Sequence, residues 1–412
     1  MAQTLVVLIL CVDSCTVAAL AQGQPVEDWC NYRIPPGFVY EGESLTLEQA
    51  RALPPPRAVL TLLNVKEISP QVAAAIVRPC PDEDALLTLP AVQTVDVATA
   101  DALSGHCGYL RLWGIRTLTP EVADALSKRR GTGLNLIGVR ELTPEVARAL
   151  AAGKRRKLFL GLTSLSTEIA EILAEFKGDL AFPRLETLSL ETAKAIAEHG
   201  EVVRIGSETV GPDLDLGTAR LTPTAAEALL AHDGPLSLNR LKKLEPGVGD
   251  ILAKHRFEVG LVLEEMDSVA LARKLFSESG RSSSVARLRT MSPEIAAEYA
   301  RRDPGYLERL DTLSVEAARE LAKGELDITL PAVTKLSPEL ATALTDRTDA
   351  VYLQGIKALD GPDAVAVAEA LASTPAPIWM TSLERVSAPA LAALRKKDTI
   401  RLPPDDKLTI VP

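Results

Sequence analysis

At 412 residues the chain has room for two or three ordinary domains, and 47% hydrophobic with 24% charged residues is the balance of a folded protein rather than a disordered one. A net charge of −10 argues against a chain that binds nucleic acid over its whole surface, because neutralising phosphates takes clustered Lys and Arg. Aromatic residues make up only 4%, so the core must be aliphatic and finely layered, which suits stacked thin units.

The first residues read MAQTLVVLILCVDSCTVAALAQGQ. An apolar run from Leu5 to Val12 and the small-x-small site Ala19-Leu20-Ala21 resemble a secretory signal peptide, residues 1–21, cleaved after Ala21. No Lys or Arg precedes the run and Asp13 interrupts it, which departs from the usual pattern. The run is too short to span a bilayer, and no other stretch approaches that length, so no membrane span is expected. Residues 22–56, with IPPG and LPPP, read as an N-terminal cap carrying its own first helix.

From there the chain repeats itself. LTPEVADAL at 118–126 returns as LTPEVARAL at 142–150, and the same skeleton recurs with anchors at Leu45, Ile68, Val95, Leu118, Leu142, Leu165, Leu188, Leu221, Leu244, Met291, Leu313 and Leu336. Most steps are 22 to 24 residues. Five positions after the anchor stands Ala every time except Gly249, and eight positions after it Leu or Ile every time except Tyr299. A fixed period in this range marks a solenoid. The residue after the anchor is Ser, Thr or Asp in all but Glu245, a good helix N-cap, and Pro often follows it, where the first helical turn loses no hydrogen bond. The small residue at the fifth position is where each helix must approach its neighbour most closely.

Ahead of each helix lies an alternating run such as YLRLWGIRTL at 109–118, GLNLIGVREL at 133–142, PLSLNRLKKL at 235–244 or AVYLQGIKAL at 350–359. Leu-x-Leu is a strand of period two with both Leu pointing inward. One strand and one helix per unit predict an α/β repeat solenoid, a curved parallel sheet backed by helices. This resembles the leucine-rich-repeat family in a bacterial-looking variant, over residues 57–403 and about 14 units, with 404–412 as a tail. The horseshoe fold, and binding on its concave sheet face, are what the resemblance implies. The usual Asn or Cys after the strand is replaced by Val139, Leu241 or Ile356, so an apolar turn should stand where the family has a polar ladder.

Three stretches break the period. Residues 200–220 insert about ten residues, 258–290 hold a degraded unit around Met266 followed by the polar loop 277–284, and the unit from Leu359 to Val386 is long enough to give its helix an extra turn.

Candidate chemistry is sparse. All four histidines, His106, His199, His232 and His255, stand eleven residues after an anchor, at helix C-termini where a cation suits the dipole; Arg129, Arg302 and Arg347 share that phase. No carboxylate or Cys shares it, and stacked helices stand about 10 Å apart, so no metal site is assigned. Of the cysteines beyond Ala21, Cys80 and Cys107 share a phase in adjacent units, which makes a Cys80–Cys107 disulfide reasonable in an exported protein; Cys30–Cys80 is the competing pairing. Asp213 and Asp215 in GPDLDLG lack the further carboxylates of a calcium loop and read as the outer face of a strand. Basic clusters at helix ends (128–130, 154–157, 254–256, 301–302, 395–397) would align along one rim, as dipole compensation or as a site for an acidic polymer.

The outward strand positions Arg111, Trp113, Asn135, Phe159, Asn239, Tyr352 and Trp379 line the expected binding surface. The reading is an exported, secreted or cell-envelope (periplasmic), non-catalytic scaffold without cofactor, whose partner is foremost another protein. The alternatives are an anionic polysaccharide on the basic rim, a structural envelope component, and an enzyme with its site in the 200–220 insertion or the 277–284 loop.

Overall fold

The structure, a computed structural model, describes residues 37–53, 59–77, 85–128, 131–199, 203–205, 208–277, 287–302 and 307–412. The expected signal peptide, most of the cap, Cys30, Cys80, Arg129, Arg130 and most of the 277–284 loop lie outside them. These residues form two compact units: one ends at Ala219 and regains 228–237, the other takes 220–227 and 238–412.

In the first unit strands and helices alternate: β1 (Phe38–Tyr40), α1 (Leu47–Ala52), β2 (Val59–Leu62), α2 (Pro70–Ile76), β3 (Leu86–Thr88), α3 (Val97–Ser104), β4 (Tyr109–Arg111) and α4 (Pro120–Ser127). The series continues with β5 (Gly133–Leu136), α5 (Pro144–Ala151), β6 (Lys157–Leu160), α6 (Thr167–Ala174), β7 (Asp179–Phe182) and α7 (Leu190–Ala197). The insertion then makes a separate antiparallel hairpin, β8 (Val203–Ile205) with β9 (Glu208–Val210), before β10 (Leu214–Leu216); α8 (Pro223–Leu229) and β11 (Leu236–Leu238) follow, their residues divided between the two units. All strands but that hairpin pair in parallel and in sequence order.

The second unit carries α9 (Val248–Leu252), β12 (Val259–Leu261), α10 (Val269–Ser277), β13 (Thr290–Met291), α11 (Pro293–Arg302), β14 (Thr312–Leu313), α12 (Val315–Leu321), β15 (Ile328–Thr329) and α13 (Pro338–Thr345). After these come β16 (Val351–Tyr352), β17 (Ala358–Leu359), α14 (Ala364–Ser373), β18 (Ile378–Trp379), β19 (Arg385–Ser387), α15 (Ala388–Leu394), β20 (Ile400–Arg401) and β21 (Thr409–Val411). Strands β15-β16-β18-β20 make one parallel sheet and β17-β19-β21 another. Helix α14 has 10 residues, two more than α4 or α5 and as many as α11, which falls short of the full extra turn expected of its unit.

The repeat chemistry explains the packing. Thr119 and Thr143 accept from the backbone N–H of Val122 and Val146, and Ser166, Ser189, Ser314 and Ser337 do the same at the starts of α6, α7, α12 and α13, worth about 1 kcal/mol apiece. Where Glu245 stands instead, the chain enters α9 through Gly247 at φ 83°, a left-handed turn that suits glycine. The small fifth-position residues Ala73, Ala100, Ala123, Ala147, Ala170 and Ala193 are fully buried, as are the strand leucines Leu110, Leu112, Leu136 and Leu160. The post-strand turns are apolar, as the missing Asn implied: Val139, Leu241 and Ile356 are buried, each closing a turn onto the carbonyl three residues back. A glycine column beside them went unnoticed in the sequence. A Cβ on Gly138 would lie 2.2 Å from the Trp113 carbonyl oxygen, and one on Gly161 1.8 Å from that of Ile137, so successive turns touch backbone to backbone.

Candidate functional site

The parallel register puts one outward row on the first sheet: Thr61, Thr88, Arg111, Asn135, Phe159, Ala181 and Asp215 stand side by side. Within it the Arg111 guanidinium sits 5.5 Å from the Tyr109 ring centre and 5.4 Å from that of Trp113, a cation between two aromatic faces. Tyr109 meets Phe159 edge to face at 5.9 Å. Asn135 turns its side-chain oxygen back onto the Ile137 N–H, 3.1 Å away. In the second unit Tyr352 and Trp379 are register partners on β16 and β18, with their rings stacked at 5.5 Å and 15°. Both are half-buried, and Thr329 and Arg401 complete their row.

Of the seven predicted surface residues, Arg111, Trp113 and Asn135 gather in the first unit but are buried, at 8%, 5% and 3% exposure, beside the half-buried Phe159; Tyr352 and Trp379 meet in the second, and Asn239 stands half-buried just past β11. Tyr109 is the member that sequence reasoning missed. It has the same strand parity as Arg111 and Trp113, and that signal alone would have found it.

The histidine phase has a different meaning from the one expected. These residues do not present a charge to the helix dipole in solvent; all four rings are buried, at 1–3% exposure. His106 Nε2 lies 3.2 Å from the Ala85 carbonyl oxygen and His232 Nε2 3.1 Å from that of Pro212. His199 is stacked between Phe176, at 6.5 Å and 4°, and His232, at 6.0 Å and 9°. Burial first, and then the neighbouring His232, draw the His199 pKa down to about 4; burial also lowers that of His106. Arg347 shares the phase, and it too is buried and donates to the Leu326 carbonyl.

The basic rim is largely exposed, at Lys128, Lys154, Arg156, Lys254, Arg256, Arg301, Arg302, Arg395 and Lys396, but several of its cations are engaged within the chain. Arg155, 4% exposed, donates through Nε and Nη2 to the Leu126 carbonyl at 3.2 and 3.1 Å and through Nη1 to that of Gly133 at 3.4 Å. Burial brings its pKa down to about 10. Arg301 and Arg302 meet the buried Glu298 carboxylate together with Arg273. Lys128 pairs with Asp124, Lys157 with Asp179 and Arg395 with Asp405, and Lys397 donates to the Thr374 and Ala376 carbonyls.

Asp213 and Asp215 flank the core-facing Leu214 on β10, and burial together with the Asp213 charge pushes the Asp215 carboxyl up to about 6. Among the described residues no group of three or more His, Cys, Asp or Glu is disposed to hold a metal ion. Cys107 is disulfide-bonded, and Cys80, its expected partner, lies outside the described residues, as does Cys30.

One strand and one capped helix per repeat, the strands parallel in sequence order and their Leu-x-Leu pairs turned to the helices, decide the architecture. Each unit is a leucine-rich-repeat-like array. No family model and no curated protein matches the sequence. Among solved structures, one of the Toll–Spatzle complex from Drosophila is similar at 13% identity and a TM-score of 0.43, covering 89% of this chain and 49% of that one, so this chain spans about half its length. An internalin from Listeria monocytogenes is similar at 13% identity and a TM-score of 0.33, covering 94% of both chains. A structure of the Rad7 and Elc1 complex in yeast is similar at 15% identity and a TM-score of 0.31, covering 76% of this chain and 85% of that one. Among the described residues no helix is long and apolar enough to cross a membrane.

Proposed function

We propose that the protein is an exported, non-catalytic scaffold that binds another protein through the outer faces of its parallel sheets. The observation that carries this reading is the Tyr352–Trp379 stack, an aromatic pair left half-exposed on a rigid sheet with Arg401 beside it. Tyr, Trp and Arg are the side chains that dominate the energy of protein interfaces, and a sheet holds them in place at little entropic cost. The alternative, an acidic polymer on the basic rim, is weakened because Arg155, Arg301, Arg302, Lys157 and Lys397 already have internal partners.

The test is affinity capture on the source cell-envelope fraction, comparing the protein with a Tyr352→Ser/Trp379→Ser variant and washing at rising salt. A protein retained through high salt by the parent and lost from the variant supports the reading. A ligand that leaves both baits as salt rises would replace it with the acidic-polymer reading, since that attraction is screened.

A further inference from the structure

Every histidine of the chain is spent on one buried junction type, and two of them face each other. His199 follows α7 and lies flat between Phe176, which follows α6, and His232, which follows α8. Its two ring nitrogens are buried without a hydrogen bond of ordinary geometry. Among the described residues the charged or titratable groups facing it are His232 and Asp179, and the Asp179 carboxylate is held by Lys157 at 2.8 Å. The backbone of Gly178 and Ala174 gives a charged ring only slight support. A proton on His199 therefore puts a cation between two rings, and a second on His232, whose Nε2 lies 3.1 Å from the Pro212 carbonyl oxygen, puts two like charges 6.0 Å apart, ring centre to ring centre.

We propose that the Phe176–His199–His232 stack is an acid-operated seam, at which protonation parts the helix ends of neighbouring repeats while the sheet stays paired. The direction follows from linkage. A ring whose proton affinity is lower in the closed state than in the open one takes up protons on opening, so closure is complete above about pH 6.5 and weakens as the pH falls toward 4. At pH 5 one such histidine raises the opening equilibrium roughly thirtyfold over its value at pH 7.5. The seam is local because a repeat touches only its neighbours, so one junction can open without the array unfolding.

The experiment is amide hydrogen exchange on the full chain at pH 5.0 and 7.5, corrected for intrinsic rates, beside His199→Phe, which continues the stack with an untitratable ring. The expected result is a rise of about thirtyfold in exchange at pH 5.0 over the ends of α7 and α8, absent from β7 and β10, and abolished in the variant. A rise below threefold in the parent, or an undiminished rise in the variant, overturns the proposal. Should the variant fail to fold, imidazole proton titration by NMR on the parent decides: a ring still neutral at pH 5 supports the seam, and four rings titrating between 6 and 7 overturn it.

Discussion

Replacing Arg155 tests whether buried cations hold the helix-to-strand junctions. Arg155 satisfies two backbone carbonyls, Leu126 with two N–H groups and Gly133 with one. Truncation to Ala orphans both, at about 1–3 kcal/mol each, and removes methylenes worth about 0.8 kcal/mol apiece. Against this, the parent spends free energy holding the charge in place: a pKa drawn from 12.5 to about 10 corresponds to roughly 3 kcal/mol, which the variant recovers. The balance is a loss of about 2–4 kcal/mol for Arg155→Ala and about 1 kcal/mol for Arg155→Met, which keeps the apolar stem. Urea unfolding followed by circular dichroism measures both. An Ala variant within 0.5 kcal/mol of the parent would refute the account, and a Met variant as stable as the parent would move the credit from the donors to the stem.

Ala147→Leu inserts three carbons where α5 meets its neighbours at zero exposure, and overpacking should cost about 1–3 kcal/mol in the same assay. Thr119→Ala removes the hydroxyl that accepts from Val122 N–H and should cost about 1 kcal/mol, whereas Thr119→Ser should cost little. Asp215→Asn should raise the melting temperature at pH 7.5 and change nothing at pH 4. Its carboxyl titrates near 6 in the fold and near 4 in the open chain, so the charged form is a burden that acid removes. Glu298 has the opposite sign, because Arg273 first, and then Arg301 and Arg302, hold its carboxyl below the usual range. Its contribution is present above about pH 4.3 and is lost as the pH falls through its folded value, so Glu298→Gln should narrow the acid stability of the second unit, read as melting temperature against pH.

The sequence discloses what is periodic and local. An N-cap hydroxyl, a Pro in the first turn and an Ala at the point of closest approach each answer to a single backbone requirement, so the helices could be placed from letters alone. Strand parity placed Arg111, Asn135 and Phe159 in one row and should have added Tyr109, but it could not show that Arg111, Trp113 and Asn135 cover one another and end up buried. The four His and Arg347 at the eleventh position were misjudged for a physical reason, whereas Arg302 there is exposed as expected. A basic residue at a helix end suits the dipole in solvent and suits a carbonyl beneath the next repeat equally well, and only the path of the following loop decides between them. Gly138 and Gly161 escaped notice because a glycine's role lies in the neighbour's carbonyl, twenty-odd residues away, and not in its own surroundings.

These two corrections bear on function together. Arg155 and Lys397 donate to backbone carbonyls, and Arg301 and Arg302 share one buried carboxylate, so part of the rim is tied to the array, while Lys154, Arg156, Lys254, Arg256 and Lys396 stay exposed. For Arg155, Lys397, Arg301 and Arg302 a ligand would have to compete with an internal contact. The outer sheet face of the second unit carries no such debt: Tyr352 and Trp379 already hold each other in a fixed pose, and their remaining surface meets solvent. Binding there should be governed by apolar contact and shape, with affinity nearly flat between 50 mM and 500 mM salt. An affinity that falls tenfold over that range would return the search to the charged rim.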